Sequence, residues 1–545
     1  MMGSEIAPDT VLFTNGRILT KADVGLDAQP IFSESMLVKD GVISDIGSVK
    51  DLTAKYQQDG GMSTRDLEGQ TVLPGFIDGH MHLLLLGQSL QKVVLDECKS
   101  FDEIRDTLRS YAKKNPDEPR ILARGWMLDL TPNGVNTAML DEIDARPIYI
   151  NSMDLHSIWC NSSALAEMGV ADMSDPVGGT IERDENGKLT GLLSEGAAVG
   201  IAWPFLSDAM SKAEKVECIA SALDVYTASG YTGLVEMAMD ETSWDALLTL
   251  RAERPDLAMR TTAYWLVLPD SEAACLKQVD RAVELKKQYN KLNSPDLCIT
   301  GIKLICDGTI DACTAHVSRP YANGLSPDPL WSKALLEAVV RHAVASGLQI
   351  AFHAIGDAAI RMAVDAVEAY AAPDSRHRIE HLEFSAPEDA KRLGALGITA
   401  SIQPVHCDPV LLRDWPRLIG SHRCERAMAY REFADNGALL AIGSDSPTAP
   451  YNPLHNLYTA TTRRSAREPE STNTVNEHFR LGVCEAVSAA TLGAAKSVFA
   501  EDRVGILDVG KIADFVVVGM EWDAKSLLKA EVKETWFGGK RVWSK

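Results

Sequence analysis

Apolar and β-branched runs recur along the chain, and the spacing between them changes character twice. Near the N-terminus, the runs at residues 11–20 and 35–47 are split by Asn15-Gly16 and Asp40-Gly41, dipeptides that accept the positive φ of tight turns and so read as hairpins. The far end is similar: residues 515–518 are β-rich, and residues 534–543 bracket Gly538-Gly539. Neither end has enough strands to be stable by itself, so the two are expected to share one small sheet domain.

Between the ends, the pattern becomes strand followed by helix, repeated. Strand-like runs occupy residues 71–77, 232–235, 260–266, 300–305, 349–352, 378–382, 398–402 and 439–442. Most are separated by helical stretches rich in Ala, Leu, Glu and Lys, such as 271–289 and 333–346. Eight strands with intervening helices is the count of a TIM (β/α)8 barrel, where a doubly wound α/β sheet would more often show about five or six. Roughly 150 residues separate the first run from the second, far beyond a crossover, so a subdomain is expected to be inserted at about 120–204. Its own turn signals include residues 176–179 and the tip Glu185-Asn186-Gly187.

Composition narrows the function. A length of 545 residues with 46% hydrophobic content supports a large domain plus an accessory one, and a net charge of -22 repels a phosphate backbone. The start of the chain has no basic stretch leading into an apolar run, and no window reaches about 18 uninterrupted apolar residues. A cytoplasmic protein that meets a small-molecule substrate, with no nucleic acid or membrane partner, is therefore expected. Symmetry statistics add a possible homodimer. The 10 cysteines contain no CxxC pair, so they read as reduced core residues, and any metal is expected on nitrogen and oxygen ligands.

The chemistry concentrates at strand ends. In Pro74-Gly75-Phe76-Ile77-Asp78-Gly79-His80-Met81-His82, two histidines two residues apart face the same side of an extended chain, a ready metal clamp. Two hydrogen-bonded histidines are the plainer alternative. Later strands repeat the theme: Lys303 lies in Gly301-Ile302-Lys303-Leu304-Ile305, His353 ends a strand, His381 follows Ile379-Glu380, and Asp445 ends Ile442-Gly443-Ser444-Asp445. Each alone could be a snorkelling lysine, a satisfied core histidine or a helix-capping aspartate. Together and in order they match a barrel that collects its active site from several strand ends.

These motifs, with Phe352-His353-Ala354-Ile355-Gly356-Asp357, Asp154-Leu155-His156-Ser157 and the closing Gly510-Lys511-Ile512-Ala513-Asp514-Phe515, resemble the amidohydrolase superfamily, and within it the YtcJ-like branch, also called amidohydrolase 3. The resemblance spans nearly the whole chain. It implies residues 1–72 as one part of a β-sandwich, 73–485 as a metal-dependent barrel, and 486–545 as a helix plus the rest of the sandwich. It further implies one or two divalent metals, zinc foremost with manganese, iron and cobalt open. By that analogy His80, His82 and Asp445 hold the more buried metal, a carboxylated Lys303 bridges two metals, and His353 and His381 hold the second. An ammonium has no lone pair, whereas a carbamate offers two anionic oxygens.

The reaction implied is attack by a metal-bound hydroxide on a non-peptide C–N bond of an amide, N-acyl or N-formyl amine, with Asp445 as proton shuttle. Relatives in this branch include N-substituted formamide deformylases. Substrate contacts are expected from Trp126, His156, Trp159, Asp307, Arg319 and His406, against the plainer readings of insert core, helix capping and surface pairing. Two rivals stand beside this reading. A deaminase of a cyclic amidine uses the same barrel with one metal, but lacks a bridging lysine. A non-catalytic scaffold relative would be expected to have lost ligands, whereas all six positions carry competent residue types.

Overall fold

The computed structural model describes residues 10–22, 25–56, 62–153, 157–176 and 179–545. Its centre is an eight-stranded parallel sheet, numbered β1 (Phe76–Met81), β2 (Tyr231–Met239), β3 (Arg260–Val267), β4 (Leu297–Ile305), β5 (Gln349–Ala354), β6 (Arg378–His381), β7 (Thr399–Ile402) and β8 (Leu439–Ile442). Each strand pairs with its sequence neighbour, in the unbroken order β8 to β1. The expected TIM barrel is therefore present, with additional β structure attached to it.

Helices cover the outside because their apolar positions recur every three or four residues. In Glu272–Gln288 the buried Cys275, Val279, Ala282 and Leu285 form one stripe against the strands. The lumen has its own small core of Val235, Met237, Tyr264 and Ala351. Above it, Arg378 spans the interior, donating to Gly79 O on β1 at 2.6 Å and to Ser401 Oγ on β7 at 2.8 Å.

β1 and β8 are not joined by a regular ladder. The seam between them closes through Asp445 N–H to His80 O (2.7 Å) and His82 N–H to Ser446 O (2.9 Å). Backbones come so close here that a Cβ on Gly443 would lie 2.4 Å from His80 N. Gly443→Ala should thus pry the seam open and destabilise the fold by about 1–3 kcal/mol, the usual range for overpacking. A lowered urea midpoint would show it, and an unchanged midpoint would mean the seam is compliant.

Two further sheets use both ends of the chain. One has four strands, Val42–Gly47, Ser35–Lys39, Thr10–Thr14 and Met62–Asp66. The other has six: Lys540–Ser544, Glu531–Phe537 and Phe515–Gly519 from the C-terminus beside Thr71–Pro74, Arg17–Ala22 and Pro30–Ser33. They enclose a common core in which Phe13, Phe515 and Trp536 meet at centroid separations of 4.9–5.2 Å.

The turn at Asp40-Gly41 makes the expected hairpin, as does Gly538-Gly539. Asn15-Gly16 does not. Asn15 has φ of 54°, but the strands around it enter different sheets. Each strand thereby gains neighbours on both sides, two ladders where a hairpin would supply one. The run at 71–77 is likewise two strands: Thr71–Pro74 belongs to the terminal sheet, and β1 starts after Gly75, where a Cβ would lie 2.3 Å from Thr232 Oγ1. The segment between β1 and β2 carries a six-stranded sheet running from Val93–Val94 to Leu189–Glu195, so this extra sheet begins ahead of residue 120.

Candidate metal centre

The clamp at the end of β1 meets Asp445 just past the end of β8. His80 Nε2 lies 3.2 Å and His82 Nε2 3.1 Å from Asp445 Oδ1. On the other side of the same carboxylate, His406 Nε2 lies 3.5 Å from Oδ2. Asp445 thus belongs to two groups of ligand-type atoms, His80–His82–Asp445 and His381–His406–Asp445, each mutually within 4.8 Å. His381 ties the groups together, its ring 4.9 Å from His80 and stacked 5.9 Å from His406. Asp445 has φ of 56°, a left-handed conformation that turns its carboxylate across the barrel mouth.

Carboxylates behind the histidines set which nitrogen points inward. His80 Nδ1 lies 2.7 Å from Glu380 Oε2, and His406 Nδ1 lies 2.9 Å from Glu383 Oε1. A carboxylate only accepts, so both rings carry their proton on Nδ1 and present the Nε2 lone pair to Asp445 and its surroundings. Glu380 is also held by Arg378, through Nε at 2.7 Å and Nη2 at 3.1 Å. Asp78 joins the two ends of the seam: it accepts from His80 N (3.1 Å), Ser444 N (2.9 Å), Ser444 Oγ (2.6 Å) and Tyr226 OH (2.8 Å). Asn456 fastens the His406 turn, Pro404–Cys407, to β8 by accepting from Val405 N and donating to Gly443 O.

Electrostatics favour a cation here. Burial opposes charge on Asp445, but His80, His82 and His381 together hold its carboxyl well below the usual range. Burial also pushes His353 down to about 3, with help from the Lys303 charge, so this ring is neutral. Lys303 itself is buried and lowered chiefly by desolvation, and it makes no hydrogen bond or ion pair among the described residues. Three buried atoms of these residues, His80 Nε2, His381 Nδ1 and Asp445 Oδ1, have no hydrogen-bond partner. A divalent cation on these nitrogen and oxygen donors satisfies all three, so the residues present fit a metal. Side-chain exposures of 19% for His82 and 16% for His406, against 1% for His80, leave the outer edge of the cluster open to solvent.

Of the residues anticipated from sequence, His80, His82, His381 and Asp445 converge. His353 and Lys303 sit on the adjoining strands, outside both tight groups; the His353 ring is 4.4 Å from His381, with Nε2 3.4 Å from Gly308 O. His406, expected as a substrate contact, stands in the cluster beside Asp445. Asp307 is buried and accepts from the backbone N–H groups of Ile355, Gly356 and His316, which organises the loops after β4 and β5. Trp126 and Trp159 pack 5.4 Å apart inside the inserted subdomain. Arg319 is exposed, with its carbonyl accepting from Arg423. His156 lies outside the described residues.

Sequence reasoning missed Glu380, Glu383, Asp78 and Gln403. Glu380 and His381 are consecutive and should face opposite sides of a strand. The left-handed φ of 75° at His381 and 53° at Leu382 breaks that alternation and brings both to the site. The readable signal was Arg378-Ile379-Glu380, a buried charge pair two apart within an apolar strand.

Comparison with known proteins agrees with this architecture. A profile described as the amidohydrolase family matches residues 63–543. Protein LONG AFTER FAR-RED 3 of Arabidopsis thaliana is 32% identical over 98% of this chain and 91% of its own length. The N-substituted formamide deformylase of Arthrobacter pascens is 24% identical, covering 90% of this chain and 91% of its own. Among solved structures, a metal-dependent hydrolase of Pyrococcus furiosus superposes with a TM-score of 0.74 at 25% identity, over 93% of this chain and 98% of that one. The match along nearly the whole chain, over a barrel that gathers histidines and an aspartate at its strand ends, establishes that this protein belongs to the amidohydrolase family.

Proposed function

We propose that this protein cleaves a non-peptide C–N bond in an N-acyl or N-formyl amine, using a divalent metal, with zinc the best match to its nitrogen and oxygen donors. The observation that carries this reading is Asp445, shared between two histidine groups in which His80 Nε2, His381 Nδ1 and Asp445 Oδ1 lack hydrogen-bond partners. The metal, when bound by His80, His82, His381, His406 and Asp445, supplies a Lewis acid that polarises a carbonyl and acidifies water. Asp445 takes the proton of the attacking water and passes it to the leaving nitrogen. Glu380 and Glu383 keep two of the imidazoles in the tautomer this task needs.

Lys303 supports a second element of the reading. A buried ammonium with no partner is costly, whereas reaction of its free amine with carbon dioxide, releasing a proton, yields a carbamate with two oxygens for metal. The deformylating relative supports N-formyl amines as a substrate class to screen first. A donor set this complete speaks against a scaffold role, and a lysine buried at the end of β4 speaks against a ring deaminase. No helix of the described residues is long and apolar enough to cross a membrane.

Elemental mass spectrometry of wild type, His80→Ala and Lys303→Ala tests the metal and the lysine together. Wild type should hold between one and two equivalents of metal; His80→Ala should lose most of it, and Lys303→Ala at least half. Metal-free wild-type protein, inactive on N-formyl amines after addition of zinc or manganese, would overturn the reading.

A further inference from the structure

Gln403 is buried to 1% exposure, and neither its side-chain Nε2 nor its Oε1 has a hydrogen-bond partner. Its backbone is well occupied, the carbonyl accepting from Tyr430 OH at 3.2 Å and from His406 N at 2.9 Å. The chain is thus pinned while the carboxamide is left over. A buried amide group without partners is uncommon enough to require an explanation.

Its direction follows from β7. Ser401 faces the lumen, since its hydroxyl accepts from Arg378, which also reaches across to Gly79. Gln403 is two residues on, directly past the last residue of β7 (φ of -121°, ψ of 85°), so the alternation of the strand places it on the same side one step nearer the mouth. At that level β6 ends in His381, and β8 continues to Asp445, bonded to the end of β7 through Gly443 N–H to Ile402 O at 3.0 Å.

The carboxylates around the mouth are already committed. Asp445 belongs to the ligand groups, Glu380 receives Arg378 and His80, Glu383 receives His406, Asp307 receives three backbone N–H groups, and Glu236 receives Leu83 N–H. Among the described residues this leaves the neutral oxygen of Gln403 and the hydroxyl of Ser446 beside Asp445, and of the two only Gln403 also has an unpaired donor nitrogen. Resting on the proposed C–N hydrolase activity, we infer that Gln403 is a substrate-binding residue whose Oε1 accepts the N–H of the scissile secondary amide. Its Nε2 then serves an acceptor elsewhere on the same substrate. The substrate class is narrowed accordingly to amides that bear an N–H on the leaving nitrogen. An ester of the same shape puts a lone pair where that N–H belongs, and the site rejects it.

The test compares kcat/KM for an N-formyl or N-acetyl amine and for the matching ester, in wild type and in Gln403→Met, a side chain of similar length that cannot hydrogen-bond. The amide-to-ester ratio should fall roughly 10- to 100-fold in Gln403→Met, with metal content by elemental mass spectrometry unchanged. Because misfolded molecules cancel from the ratio, a partly unfolded variant still reports. Equal loss on both substrates, or no change in the ratio, would overturn the assignment. Wild type that hydrolyses esters but no amide overturns the C–N hydrolase reading and this assignment with it, whereas amide hydrolysis with an unchanged ratio overturns the assignment alone.

Discussion

Replacing Asp445 by Asn should lower kcat by about 100- to 10,000-fold, the range associated with loss of a positioned general acid–base group, while the protein remains folded. The substitution is nearly isosteric, and the seam bond from the Asp445 backbone N–H to His80 O does not involve the side chain. It replaces one anionic oxygen by an amide nitrogen that can neither receive a proton from water nor return it to the leaving nitrogen. Oδ1 faces His80 and His82 while Oδ2 faces His406, so either placement of the amide also sets an N–H against at least one ligand nitrogen. Metal content should therefore fall as well, and turnover must be compared per metal-loaded molecule. Circular dichroism, elemental analysis and steady-state kinetics on one preparation separate the effects. Turnover within about tenfold of wild type, per bound metal, would move the proton-transfer role to another group, with His406 next in reach.

The second large effect is on stability. Glu380 and Arg378 are fully buried, and each completes the other's hydrogen bonding. Converting Glu380 to Gln leaves the guanidinium without a counter-charge in the lumen, which costs about 3–5 kcal/mol when one partner of a buried pair is removed. It also weakens the hold on His80 Nδ1, so metal affinity should drop, and second-layer changes of this kind cost roughly 10–100-fold. A chelator competition and a thermal melt measure the two effects independently.

The pair also sets a pH dependence. Burial opposes the Glu380 charge, but Arg378 and His80 outweigh it and hold the carboxyl far below its ordinary pKa. A depressed acid contributes its stabilisation fully above the unfolded value of about 4.3 and loses it as pH falls below that. Wild type should therefore lose more thermal stability between pH 5 and pH 3, as assay conditions, than Glu380→Gln does. An identical loss in the two proteins would assign the acid sensitivity to other groups.

Much of the architecture was readable from pattern alone. Barrel strands are buried on both faces, so β2 through β8 stand out as apolar runs, and Cys275–Leu285 shows its helix by spacing. The first run misled at one place, because a strand-like stretch does not reveal that Gly75 hands the chain from one sheet to another. His80, His82, His381 and Asp445 were legible because chemistry-bearing residues at successive strand ends must converge when a parallel sheet closes into a barrel.

What the sequence determined by itself was therefore the barrel, the strand ends and the residue types gathered there, all of which follow from local periodicity and from the geometry of closing eight parallel strands. What only the tertiary structure decided was which of those residues lie close enough together to hold an ion. His406 joins His381 and Asp445 through the Asn456 brace, and the left-handed turn at His381 admits Glu380 to the same interior. Gln403 is left with its carboxamide unpaired. Each of these depends on contacts between segments remote in the chain and on backbone angles away from regular strand values, and neither leaves a periodic trace in the sequence.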